Sequence, residues 1–234
     1  MQYRSVTVLA PAKLNLSLDV VGTLPNGYHD LDMVMQTIDL YEKITLRRSH
    51  DLTLNLPGSF VPANDKNTAV KAALAFFAYT GLLAGVDMTI YKRVPVRAGM
   101  AGGSADAAGV LVGLNELYGA KLSMSELCAI GAGIGADVPF ALMGGTCRVR
   151  GVGDLMKALP PCPDCWFVVA MPAWAFPPPK PLPAMTRWAA LSTLTARHRS
   201  RPSATTTCPA SARRPAMRSS IAPARTNTRH LQTL

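Results

Sequence analysis

The stretch from Pro95 to Gly109, PVRAGMAGGSADAAG, constrains this chain more than any other. It carries four glycines, three of them between Gly99 and Gly103. The run VDMTIYKRV before it reads as a strand. The run from Ser104 to Tyr118 after it reads as a helix, with Val110, Leu111, Leu114 and Leu117 on one face. Such a junction lets backbone amides approach an anion, because glycine lacks a Cβ and the first helical amides have no intrahelical acceptor. Two familiar nucleotide loops are excluded. A Walker A loop needs a lysine that GMAGGSAD does not have, and the dinucleotide fingerprint fails on spacing and lacks a surrounding βαβ unit. A phosphate is the natural ligand, and a tight turn that only packs a helix on a sheet is the alternative.

The rest of the body mixes strands and helices. Val6 to Val21 reads as one or two strands, and LPNGYH supplies Asn-Gly turn chemistry. KITLRRSHDLTLNL alternates on both arms and predicts a hairpin. Asn67 to Leu83 has helical spacing, with Asn67 or Thr68 able to cap it. SMSELCAIGAGIG opens on Ser123 with Glu126 at the capping-box spacing. DVPFALMG predicts a short helix, GTCRVRG and DLMKAL strands, and CWFVVAMP a final buried strand. Hairpins without strict βαβ alternation argue for an α+β fold over a doubly wound one.

Charge divides the chain in two. The net charge of +10 suggests a nucleic-acid binder. Yet residues 1–176 hold 14 basic and 14 acidic side chains, and residues 177–234 hold 10 basic and no acidic ones. The basic tail also has nine of the 19 prolines and one aromatic residue, Trp188, so the sequence predicts a disordered, low-complexity segment. No run of 18 apolar residues occurs, and the first twenty residues lack a signal-peptide core. The expectation is a soluble cytoplasmic protein with no membrane partner. Cys162-Pro-Asp-Cys165 has the spacing of a zinc half-site or redox pair, but no second pair or helix follows it. Two thiols in a loop before a strand is the favoured reading.

Three further stretches bear on chemistry. APAKLNLSLDV places Lys13 and Asn15 in a largely apolar run, GADVPFALMGG places Asp137 at a helix start, and NGYHDL places Tyr28 and His29 at a turn. Each alone is equally well a solvated side chain beside an apolar run. Together with the glycine loop, and in this order from Ala10 to Met171, they resemble the GHMP kinase superfamily. The resemblance implies its N-terminal domain, of the ribosomal protein S5 domain 2-like type, over residues 1–160. It also implies ATP and Mg²⁺ as cofactors and phosphorylation of a small-molecule hydroxyl. PAKLNL, GYH and GADVPF point within the superfamily to a cytidine diphosphate-linked methylerythritol as substrate, ahead of homoserine or mevalonate.

By the same resemblance Asp137 is the general base, and Lys13 sits beside it and helps orient the nucleophile. Pro95, Val96, Arg97, Ala98, Gly99, Met100, Ala101, Gly102, Gly103, Ser104 and Ala105 wrap the ATP phosphates. Ser104 lies near a phosphate oxygen or the Mg²⁺ that ATP carries, with no protein cage for the metal. Asn15 lines the substrate hydroxyls, and Tyr28 and His29 recognise the cytosine by stacking and by hydrogen bonds. Asp106 is a dipole partner in the helix's first turn, not a metal ligand. The resemblance leaves room for a homodimer and disfavours nucleic acid as a partner.

One departure stands out. The superfamily's second, C-terminal domain carries a G-S-G-A run, and no GSG occurs in this chain. Residues 161–176 then read as the start of that domain, and residues 177–234 as a tail from a shifted reading frame. On that expectation the chain is an impaired kinase, and the alternative is an inactive product whose basic tail binds nucleic acid.

Overall fold

The first strand shows why a sheet forms. In β1 (Ser5–Thr23) every second residue from Val6 through Val8 and Ala10 to Ala12 is fully buried, which is the two-residue period of a strand covered on one face. β1 turns at Leu24–Tyr28 into β2 (His29–Ser49), its antiparallel partner. The turn is closed by the Leu24 N–H on the Tyr28 carbonyl (2.7 Å) and the Gly27 N–H on the Leu24 carbonyl (2.9 Å), with Gly27 at φ 81°. The computed structural model describes residues 5–25, 27–170 and 218–222.

β2 is the spine of the sheet. One edge carries β1. The other carries β5 (Thr146–Gly151) along Leu31–Gln36 and β4 (Gly85–Tyr91) along Lys43–Ser49. β3 (Thr53–Asn55) pairs parallel with β4, β6 (Leu155–Ala158) antiparallel with β5, and β7 (Arg218–Ala222) antiparallel with Ser5–Leu9 of β1. Among the described residues four helices complete the domain: α1 (Thr68–Thr80), α2 (Gly102–Tyr118), α3 (Met124–Ala132) and α4 (Val138–Met143). The main core joins Val6, Val8, Ile44, Leu46, Met88 and Ile90 of the sheet to Phe76 of α1 and to Val110, Leu111, Leu114 and Leu117 of α2. The α+β class agrees with the sequence reading. No helix among the described residues is long and apolar enough to cross a membrane.

α2 rests against β1 and β2 because two glycines let it. A Cβ on Gly109 would overlap Ile44 Cδ1 and stand 3.2 Å from Ala10 Cβ. One on Gly113 would overlap Leu46 Cδ1 and stand 3.1 Å from Val8 Cγ2. The helix ends are set locally. Asn67 caps α1 by accepting from the Ala69 N–H (2.9 Å), while the Thr68 hydroxyl donates to the Gly103 carbonyl (2.7 Å). Ser123 and Glu126 form the expected capping box on α3.

Three expectations are corrected. KITLRRS and DLTLNL do not pair as a hairpin: the more deeply buried β4 takes the place beside β2, and β3 lies on its far side. The helix after the glycine loop opens at Gly102, not Ser104. CWFVVAMP forms no strand over its described part, where Trp166 and Val168 are almost wholly exposed and no neighbouring strand pairs with it. Arg218–Ala222 pairs as a strand with the outer edge of β1. The expectations for residues 171–217 and 223–234 lie outside the described residues.

The close seating of α2 yields a stability prediction. Valine at Gly109 recovers little helix propensity because it is β-branched, and its methyls meet Ile44 and Ala10. Gly109→Val is expected to lose about 1–3 kcal/mol of stability, the usual scale of overpacking, read as a lower urea midpoint at unchanged slope.

Candidate active site

The glycine loop makes its tight path with three left-handed residues: Arg97 (φ 61°), Gly99 (φ 70°) and Ala101 (φ 57°). Glycine adopts that region freely, whereas at Arg97 and Ala101 it is a strained choice held by the surroundings. Ala101 caps α2 without a side-chain bond, and the first intrahelical bond runs from the Ala105 N–H to the Ala101 carbonyl (2.8 Å). The amides of Gly102, Gly103 and Ser104 therefore lie outside the helical ladder, at the positive end of a helix of 17 residues. They fit an anion. Ala105 departs from the sequence reading, because its N–H is used within the helix and its side chain is fully buried in the core.

A cavity of about 400 Å³ opens along this loop, lined by Pro95 through Gly103. Its other walls are Val61, Pro62, Asn64, Asn67 and Thr68 before and at the start of α1, together with Lys92 and Asp106. The sequence reading missed the 61–68 wall. VPANDKNT reads there as turn-forming residues ahead of a helix cap, and no spacing ties it to the glycine loop.

Lys13 and Asp137 are brought together. Lys13, on β1 and 6% exposed, holds its Nζ 3.6 Å from Asp137 Oδ2 and donates to Asn15 Oδ1 at 3.0 Å. The backbone sets this position: the Lys13 N–H donates to the Met100 carbonyl of the glycine loop (3.2 Å), and register shifts interrupt the β1–β2 ladder at Pro11/Ala12 and Asn15/Ser17. Bulges re-aim side chains, and here they flank the lysine. Asp137 occupies the N-cap position of α4 but makes no capping bond with its side chain, which stays 31% exposed. A carboxylate at that position ordinarily bonds the helix amides. This one faces the lysine instead.

Tyr28 and His29 stand at the far end of the β1–β2 hairpin from Lys13. Tyr28 is 66% exposed, and both ring nitrogens of His29 are shielded from solvent without a hydrogen-bond partner among the described residues. Asn15 is exposed beside the lysine. Lys13, Asn15, Asp137 and the loop thus form one group, and Tyr28 with His29 a second.

Asp106 also differs from its expected place. It lies beyond the first turn of α2, buried, with Oδ2 accepting from Lys92 Nζ at 2.6 Å. Lys92 Nζ is 2.5 Å from Oε1 of the fully buried Glu42, whose Oε2 accepts the Arg93 N–H at 2.6 Å. One cation thus serves two buried carboxylates, and Asp106 Oδ1 has no partner among the described residues. Burial pushes the Asp106 carboxyl up to about 7 against the lowering effect of Lys92.

The consequence for stability has a definite sign. With a folded pKa above its ordinary 3.8, Asp106 keeps a proton in the folded chain that the unfolded chain releases. Its contribution to stability is full below the unfolded value and is lost as pH rises towards the folded one. Urea denaturation between roughly pH 5 and pH 8 is expected to show wild-type stability falling relative to Asp106→Asn as pH rises. Parallel curves for the two proteins would remove Asp106 as the cause.

Comparison with known proteins now bears on this geometry. Residues 67–145 match the family described as GHMP kinases N terminal domain. A protein of Carboxydothermus hydrogenoformans named 4-diphosphocytidyl-2-C-methyl-D-erythritol kinase is 47% identical over 165 residues, 70% of this chain and 57% of that protein. One of the same name from Geobacter metallireducens is 42% identical over 189 residues, 79% of this chain and 64% of that protein. A crystal structure of 4-(cytidine 5'-diphospho)-2C-methyl-D-erythritol kinase superposes with a TM-score of 0.57 at 37% identity, covering 65% of this chain and 55% of that one. Mevalonate kinase of Methanococcus jannaschii, at 15% identity and a TM-score of 0.52, shares the fold. The chain spans 57% and 64% of the length of the two curated relatives described. Residues 67–145, which hold the glycine loop, α2 and Asp137, thus match the GHMP kinase N-terminal domain in sequence, and the described body shares the fold of the two solved kinases.

Proposed function

We propose that this domain serves the ATP-dependent phosphorylation of a hydroxyl of 4-diphosphocytidyl-2-C-methyl-D-erythritol, a small molecule, in the cytoplasm. The observation that carries the reading is the Lys13–Asp137 pair at 3.6 Å, tied through the Lys13 amide to the glycine loop. The names of the most similar relatives supply the substrate.

Each residue then has a defined task. Asp137, uncommitted to its helix cap and partly exposed, takes the hydroxyl proton as general base. The Lys13 ammonium has three donors: one goes to Asn15, one faces Asp137, and the third is left for the attacking oxygen or a phosphoryl oxygen. Asn15, exposed beside it, orients the substrate's hydroxyls. The loop from Pro95 to Ser104, with the amides of Gly102, Gly103 and Ser104, holds the nucleotide's phosphates, and the neighbouring cavity takes its base. Bound ATP with Mg²⁺ supplies the phosphoryl group and neutralises its charge. His29, with two shielded and unpartnered ring nitrogens, reads the cytosine edge, and exposed Tyr28 stacks on it.

Three measurements test this. The purified 234-residue chain, assayed for ATP consumption, is expected to prefer the cytidine diphosphate substrate over homoserine and mevalonate. Asp137→Asn should lower turnover by about 10²–10⁴ while leaving nucleotide affinity nearly unchanged. Equal turnover in the variant would defeat the assignment. His29→Ala should raise KM for the cytidine substrate by about tenfold, the scale of one lost buried hydrogen bond, and leave KM for ATP alone. A matching rise for ATP would mean that His29 acts through the fold.

A further inference from the structure

The Cys162–Cys165 segment lies outside all of this chemistry, yet the fold has brought its two thiols together. Their Sγ atoms are 3.9 Å apart. The other two described cysteines are held elsewhere: the Cys128 thiol faces the Pro139 carbonyl and buried Cys147 the Gly144 carbonyl, each at 3.9 Å. The pair is also anchored at one end. The Cys162 N–H donates to Thr146 Oγ1 on β5 (3.1 Å), and that hydroxyl donates to Gln36 Oε1 on β2 (2.5 Å). Cys162 is therefore fixed to the sheet and partly covered, whereas Cys165 is exposed three residues on in a segment without regular structure.

We propose that Cys162 and Cys165 are a vicinal dithiol that closes to an intramolecular disulfide on reaction with a low-molecular-weight disulfide such as oxidised glutathione. A disulfide needs its sulfurs at about 2.05 Å, so side-chain rotation at the exposed Cys165 has to bring them together. The exposed Cys165 attacks first, as its thiolate. One bond forms to an oxidant sulfur, the oxidant's S–S bond breaks, and one small thiol leaves. Cys162 then gives up its proton and attacks the Cys165 sulfur, expelling the second small thiol. Two electrons pass from the protein dithiol to the oxidant, and each thiol lost on the protein appears as a thiol on glutathione. Burial and the neighbouring Cys165 hold the Cys162 thiol above its ordinary range, consistent with its acting second.

The test equilibrates the full 234-residue chain in graded ratios of reduced to oxidised glutathione, then quenches with acid, alkylates and maps the peptides by mass. The expected product is a peptide containing both Cys162 and Cys165, 2 Da lighter than its reduced form, with Cys128 and Cys147 still alkylated. If the fold holds the sulfurs together, the native chain should close this bond at least about tenfold more favourably than the same chain in urea. Cys162→Ser should accumulate a glutathione adduct on Cys165, and Cys165→Ser should take up far less on Cys162. Equal equilibrium in native and urea-unfolded chain would overturn the proposal. So would separate adducts on both residues of the wild type, or bonds made chiefly to Cys128, Cys147 or Cys208.

Discussion

A single main-chain hydrogen bond, from the Lys13 amide to the Met100 carbonyl, joins the two halves of the site. Lys13 belongs to β1 and Met100 to the glycine loop, and the same junction is packed by Ala12 of β1 in one buried cluster with Val94 and Met100. The bulges on either side of Lys13 leave its backbone free to reach sideways to the loop. Once there, the side chain is almost completely enclosed, and a buried ammonium needs partners. It has a close one in Asn15 at 3.0 Å and a looser one in Asp137 at 3.6 Å. A purely structural ion pair would be better closed than this. The partly exposed carboxylate keeps acceptor capacity beyond this contact.

The loop itself is held from below. Glu42 accepts the Arg93 N–H and faces Lys92, and Lys92 reaches across to Asp106 on α2, so the chain entering the loop is tied to the helix leaving it. Burying a lysine with two carboxyl groups is expensive, and replacing such a cluster with apolar side chains is often neutral or stabilising. Its value lies in geometry: it fixes both ends of a segment whose left-handed residues do not hold their shape unaided. Gly109 and Gly113 do the complementary work, letting α2 sit close against β1 and β2.

Much of this was legible in local patterns. Alternation in β1, the Asn-Gly turn, the Ser123–Glu126 box and the apolar face of α2 are short-range signals, and each element formed where its signal lay. Partner choice was not legible. DLTLNL alternates as well beside β4 as beside β2, and nothing in its composition says which. Asp106 was misplaced because a carboxylate near a helix start looks like a dipole partner; its burial comes from Glu42 and Lys92, which are distant in sequence from α2. The 61–68 wall of the cavity stayed hidden for the same reason. Sequence patterns reported faces, and the site is made of meetings between faces.

One such meeting bears on the separation of Lys13 and Asp137. Thr37 on β2 is the register partner of Lys13 on one side. On its other side it exchanges hydrogen bonds with Gly145, its N–H to the Gly145 carbonyl at 3.0 Å and the Gly145 N–H to its hydroxyl at 3.0 Å. Gly145 follows Gly144, the C-cap of α4, and Asp137 is the N-cap of that helix. The path from lysine to carboxylate therefore runs across one strand and back along one short helix, with ordered backbone throughout. Strands paired on both edges are among the least deformable parts of a fold, so the pair's spacing is set by the sheet. The glycine loop contributes free amides, and β2 contributes the distance.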